Sequence, residues 1–219
     1  MERNRDFQVF LYPQGIQVES VLKGAVMKTM NKVLFLSIFC IVGCVPSLHE
    51  LYTRETVVYD AALLGDWEGE DTVWQFAGDP NEKRYTILIT EDDKDRGKLE
   101  NRFEGRLVEL SDVRYLDLFP HSDVKLNVGS VYAGHLLRAH TFWRVEVREG
   151  KLLIAAINPD FVDKLLEKDP TIVKHEKTQD TLVLTASPRE LQGFIRKYNA
   201  EEGFFGEPME MKPKIIIKK

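Results

Sequence analysis

The sequence predicts a mainly β fold, an antiparallel barrel or strongly curved sheet with two short α-helices in its C-terminal half. Three observations lead there. Several short segments alternate apolar and polar residues, the period of a sheet with one buried and one wet face. Turn residues separate these segments, as at Gly78-Asp79-Pro80-Asn81, Ser111-Asp112 and Glu149-Gly150-Lys151. Only two stretches change to a spacing of three and four, and each opens with a capping residue followed by proline.

Taken in order, Val57 to Leu64 reads as a short helix or turn ended by Gly65. Asp66 to Phe76 is strand-like, carrying Trp67, Val73, Trp74 and Phe76. Arg84 to Thr90 alternates, with Tyr85, Ile87 and Ile89 on one face, and Glu91 to Gly97 is a polar turn. Leu99 to Leu110 and Val113 to Phe119 form a pair around Ser111-Asp112. Thr141 to Arg148 alternates most cleanly: Thr141, Trp143, Val145 and Val147 face one way, Phe142, Arg144, Glu146 and Arg148 the other. Leu152 to Ile157 and Thr181 to Thr185 are further strands. Asn158-Pro159-Asp160 starts one helix, with Phe161, Val162, Leu165 and Leu166 as its stripe. Ser187-Pro188-Arg189-Glu190 is a capping box before Leu191, Phe194, Ile195 and Tyr198. About seven or eight short strands joined by hairpins favour closure, because a barrel has no exposed edge. The barrel-like domain is expected over 57–206, with a tether at 44–56 and a C-terminal tail at 207–219. In that tail Lys212-Pro213-Lys214 and Lys218-Lys219 flank Ile215-Ile216-Ile217, as an edge strand guarded by lysines would be.

A formal net charge of -5 argues against a nucleic-acid binder, which needs a basic face to displace counterions from phosphate. The two cysteines, Cys40 and Cys44, lie in one apolar stretch. Disulfides, a cysteine zinc site and a catalytic cysteine are thereby excluded from the globular part.

That stretch has the layout of an export signal. Met27-Lys28-Thr29-Met30-Asn31-Lys32 is a short basic region, and Val33 to Val42 is an apolar core of about ten residues, half of what a spanning helix needs. Gly43 and Cys44 follow. Ile41-Val42-Gly43-Cys44 resembles the lipobox of bacterial lipoproteins, with Ile at the position where Leu is commonest. The resemblance covers Met27 to Cys44. It implies a signal peptide over 27–43, cleavage between Gly43 and Cys44, and a lipid anchor on Cys44 (thioether-linked diacylglycerol, usually with a further acyl chain such as palmitate). It also implies a membrane-bound place in the cell envelope. The residue after the anchor is Val45 rather than the Asp of enterobacterial inner-membrane retention, which in a Gram-negative host implies the outer membrane, facing the periplasm. Residues 1–26 precede this signal and read as an over-extended start or a leader. Removing residues 1–43 leaves 25 basic and 32 acidic residues, so the processed chain is more acidic still.

Leu63-Leu64-Gly65-Asp66-Trp67 resembles the Gly-x-Trp entry of lipocalin-type barrels, which implies a lipocalin-like domain. Such barrels can enclose an apolar ligand, and Trp74, Tyr85, Phe103 and Trp143 are the candidate lining residues. The competing expectation is that these rings simply fill the barrel. Arg144 would matter if it faced inward, but alternation puts either it or Trp143 outside.

Other chemistry finds little footing. His49, His121, His135, His140 and His175 show no metal-ligand spacing. No Gly-x-Ser-x-Gly elbow or phosphate loop occurs, and Ser187 is accounted for as a cap. Glu91 to Asp95 lacks the order of a calcium loop. No catalytic residue, metal or cofactor is therefore expected. The expected function is a membrane-anchored binding or interaction module, its partner a hydrophobic small molecule or another envelope protein. The alternative is an envelope hydrolase or isomerase with Asp, Glu or His converging in a barrel cleft.

Overall fold

The computed structural model describes residues 44–123, 129–178 and 181–215. Residues 1–26, the signal over 27–42 and the cleavage residue Gly43 lie outside the described residues. Among the described residues, no helix is long and apolar enough to cross a membrane.

The elements run β1 (Val57–Val58), β2 (Gly65–Glu68), β3 (Thr72–Asp79), β4 (Arg84–Asp93), β5 (Gly97–Leu110), β6 (Val113–Pro120), α1 (Ser130–Ala133), β7 (Thr141–Arg148), β8 (Lys151–Ala156), α2 (Pro159–Lys168), β9 (His175–Lys177), β10 (Leu182–Leu184), α3 (Pro188–Tyr198) and β11 (Met209–Pro213). Among the described residues, β2 to β8 form an antiparallel meander, and β11 pairs with both β8 and β2 to close an eight-stranded barrel. The mainly β, lipocalin-like barrel class expected from the sequence is the observed one. Both expected helices are present, joined by the four-residue α1.

Alternation decides what lies inside. Trp67, Trp74, Phe76, Ile87, Leu116 and Ile154 belong to one buried cluster within the barrel. A second cluster lies on the outer wall, where Val108, Tyr115, Phe142 and Ala155 meet Val162, Leu166, Leu191 and Ile195 of the two longer helices. The charged face of β7 therefore still buries Phe142, because helices cover that wall. Turns 80–83, 111–112 and 149–150 gather at one end of the barrel, the upper end. The lower end carries turns 69–71 and 94–96 and the long β6–β7 connection.

Several local expectations are corrected. Residues 57–64 give the two-residue β1 and a 3-10 turn at Ala61–Leu63, whose cap Asp60 accepts from the Ala62 N–H at 2.8 Å. The stretch 66–76 holds two strands, folded back where the Gly69 N–H donates to the Thr72 carbonyl at 2.8 Å. The polar turn is shorter than 91–97. The Asp93 carboxylate accepts from the N–H groups of Asp95 and Arg96 at 3.0 and 2.7 Å, and this tightens the hairpin. The Arg96 side chain first, and then those backbone bonds, hold the Asp93 pKa down at about 2.

Two larger differences concern the ends of the domain. The stretch 207–219 contains β11, which is no edge. Met211 faces inward and is fully buried, and the strand fills the gap between β8 and β2. The stretch 44–56 is not a free tether. Val45, Ser47 and Leu51 are buried against the outer wall, and Ser47 bridges both His140 and Leu184.

Candidate functional site

The four aromatic candidates converge inside the barrel, as packing. Trp74 and Trp143 meet edge-on at 5.6 Å, Phe76 and Tyr85 at 6.3 Å. Phe103 lies beside them in the same cluster. Tyr85 is anchored at its far tip: its hydroxyl accepts from the Asp60 N–H at 2.7 Å and donates to the Asp60 carbonyl at 3.0 Å. Burial pushes its pKa up to about 12. Tyr59 stacks on its ring at 5.0 Å. A methyl group added at Gly105 would come within 2.6 Å of Ile87 and 3.2 Å of Leu116. At that height Ile87 and Leu116 fill the space in front of Gly105.

A cavity does open at the upper end. It measures about 660 Å³, within the range of small-molecule sites. Leu63, Leu107, Val145, Val147 and Ile154 give it an apolar floor. None of the four aromatic candidates lines it. The register puts Glu109 opposite Arg114 and Arg114 opposite Val145, so this inward-facing row runs from charged to apolar across three strands. Arg114 pairs with Glu109 at 3.0 Å and with Asp60 across the mouth. Both contacts hold the guanidinium pKa above its ordinary value, the Glu109 bond foremost. Arg144 and Arg148 also border the cavity, with Glu146 and Asp112. Arg144 faces the outer wall, as its alternation with Trp143 requires, and its guanidinium lies 4.8 Å from the Phe205 ring centre. Among the described residues it makes no salt bridge.

A second cluster lies on the outer wall towards the lower end. Asp117 is buried in β6, on the strand face opposite the inward-pointing Leu116 and Leu118. One of its oxygens lies 2.7 Å from His140 Nδ1, and the other accepts from the Leu51 N–H at 2.7 Å. Burial raises the Asp117 pKa, and the contacts with His140 and Leu51 oppose that rise. Ser47 and His140 exchange backbone hydrogen bonds at 2.9 and 2.8 Å, and Gln192 Nε2 donates to the Leu51 carbonyl at 2.8 Å. The pair thus straps residues 45–51 to the barrel. His140 also packs at a tilt against Phe119, ring centres 4.4 Å apart, and none of the histidines lines the cavity. Among the described residues, no group of three or more His, Cys, Asp or Glu is placed to hold a metal ion.

Cys44 stands just before this strap, half-buried, and burial pushes its thiol pKa up to about 11. The sequence reading missed Asp117 and the Asp60–Arg114–Glu109 row. A carboxylate inside the apolar run Tyr115 to Phe119 was the available signal for the first. The second joins residues 54 positions apart and needed the fold. No protein-family model matches the chain, and neither does any curated protein or solved structure.

Proposed function

We propose that this chain is a lipid-anchored binding module of a bacterial cell envelope, which takes an amphipathic small molecule into the upper cavity. The observation that carries the reading is the cavity itself, an apolar floor with a rim of mixed charge, Arg114, Arg144 and Arg148 among Asp60, Glu109, Asp112 and Glu146. Such a lining suits a ligand with a hydrocarbon body and a strongly hydrogen-bonding head that can take up the place of one of these ion pairs. The filled interior directs the reading to the mouth rather than to the middle of the barrel.

The anchor rests on the lipobox-like Ile41-Val42-Gly43-Cys44 after its basic and apolar segments. The thiolate is the reactive form of cysteine, and a pKa of about 11 leaves little of it at neutral pH. The Asp117–His140 pair lends no support to a hydrolase, because it is spent on holding the N-terminal segment to the outer wall.

Intact mass of the protein extracted from host membranes tests both halves. A chain beginning at Cys44 with acyl mass, and a soluble Cys44→Ala variant, are expected. A soluble wild-type chain that begins upstream with a bare thiol overturns the anchor. For the cavity, native mass spectrometry of the purified protein should show a bound amphiphile that Val147→Trp, placed in the mouth, displaces. Identical spectra for both proteins would remove the small-molecule reading.

A further inference from the structure

We infer that the head of the ligand is an oxyanion, which crosses the barrel wall between β6 and β7 and is held on the outside by Arg144. The inference rests on the upper cavity as a binding site and adds the route through the wall and the charge of the head.

The wall is notched at that point. β6 pairs with β7 only as far as Arg114 opposite Val145. Among the described residues, Glu146, Val147 and Arg148 continue upward paired with β8 alone. At ~3.3 Å per residue this leaves ~10 Å of β7 without a neighbour on the β6 side. The cavity runs through the notch. Adjacent residues of a strand point to opposite faces. Yet Val145 and Val147, which face inward, line the cavity together with Arg144, Glu146 and Arg148, which face outward. A single cavity meets both faces of a strand only by passing round its edge. β8 repeats the pattern, with Ile154 lining from inside and Leu153 and Ala155 from outside. Asp112 and Val113, across the notch, line it too, whereas Glu149 and Gly150 at the tip of the β7–β8 hairpin do not. The passage therefore lies beside the hairpin and not over it.

The two lobes differ in chemistry. The inner lobe has the apolar floor, and Arg114 there is already bonded to both Glu109 and Asp60. The outer lobe is cationic. Arg144 is half-buried in it, with its guanidinium on the Phe205 ring. Tyr115, the cross-strand neighbour of Arg144, stacks on the same ring at 5.9 Å. The Tyr115 hydroxyl is buried and has no hydrogen-bond partner among the described residues. Burial raises its pKa to about 12, and the charges of Arg144 and Arg196 oppose that rise, so two guanidinium groups bear on one orphaned oxygen. A buried hydroxyl calls for a partner, and an oxyanion, or a water that it orders, supplies one. Asn199, the C-cap of α3, closes the far side of the lobe, and Arg196 and Lys197 in the last turn offset the negative end of that helix. Glu146 is the carboxylate on this face of β7. Its contact with Arg148 is the loosest at the rim, 3.8 Å long with side chains 56 and 63% exposed. Exposed pairs of this kind are weak, so the head takes the place of Glu146 beside Arg148 and Arg144.

Calorimetric titration of the full chain with laurate and with lauryl alcohol, which share a tail and differ in the charge of the head, tests the route. Laurate should bind more tightly by about tenfold or more, the strength of a hydrogen bond to a charged partner. Arg144→Gln should abolish that preference and leave lauryl alcohol unchanged. Glu146→Gln, a change at an exposed side chain, should strengthen laurate instead. Val147→Trp, which fills the inner lobe, should weaken both probes. Equal affinities of the wild type for the two probes, or a preference that survives Arg144→Gln, overturns the outer site, while binding of the tail still supports the cavity. Binding of neither probe overturns the cavity reading and this inference with it.

Discussion

The lower and upper ends of the barrel are closed by different means. Below, Trp74 and Trp143 meet edge-on, Trp143 Nε1 donates to Thr141 Oγ1 at 3.0 Å, and the strapped N-terminal segment lies alongside. Above, tight hairpins turn on residues with positive φ, Ser111-Asp112 at 50° and 65° and Glu149-Gly150 at 54° and 73°. Between those hairpins the mouth is left to an Arg114 cluster and open water. Apolar closure is non-directional and stabilising, so it suits an end that has only to stay shut. Charged closure contributes little to stability and can be exchanged for a ligand. The difference separates a supporting end from a working end in one short barrel.

Removing the lower seal should have the largest effect. Trp74→Ala deletes a buried ring and leaves a hole between Trp67, Phe76 and Trp143, at a cost of about 3–5 kcal/mol. Urea denaturation should show a lower midpoint with an unchanged slope. A loss below about 1 kcal/mol would mean that the interior is loosely filled, and the contrast between the two ends would lose its basis.

The contrast was only partly legible in the sequence. Period-two alternation placed Trp143 and Val145 on one face of β7 and Phe142 and Arg144 on the other, and the structure keeps that division. Asn158 and Ser187 marked both longer helices, because local capping chemistry needs no fold to be read. What could not be read was long-range. Residues 45–51 have no period, yet they are buried because Asp117, His140 and Gln192 each offer a partner from elsewhere in the chain. β11 read as tail because Met209-Glu210-Met211-Lys212-Pro213 is short and weakly apolar, and its role depends on the gap it fills. The aromatic set was legible as inward-facing, whereas the cavity beyond it depends on where three strands end.

Cutting the strap should have an intermediate effect. Asp117→Ala leaves the buried Leu51 N–H without an acceptor, a cost of about 1–3 kcal/mol. Hydrogen exchange at Leu51 should quicken while α3 stays protected. Equal exchange in both proteins would show that the strap holds without the carboxylate. Asp117→Asn tests the sign of its titration. Burial raises the folded pKa, so the folded protein binds this proton more tightly than the unfolded chain. The associated stability is fully present below the ordinary carboxylate pKa of about 3.9, and it is lost as pH rises through the folded value. Asn carries no such proton. Relative to wild type the variant should therefore gain stability on going from pH 4 to pH 7, and a constant difference between the two proteins would contradict the raised pKa.

The smallest effect on stability is expected at the upper mouth, with the larger change in binding. Arg114 is 44% exposed, and its ion pairs with Glu109 and Asp60 are screened by water. Arg114→Gln should lower stability by no more than about 1 kcal/mol, the upper range for pairs of this kind. It also leaves Glu109 and Asp60 unneutralised beside the cavity, so an acidic head would meet both carboxylates without the guanidinium that now lies between them. The variant should keep its melting behaviour while losing any acidic amphiphile that co-purifies with the wild type. A drop in stability comparable to that of Trp74→Ala would show that the mouth is held shut as firmly as the seal below. In that case Arg114 is a brace rather than a gate, and the division between supporting and working ends disappears.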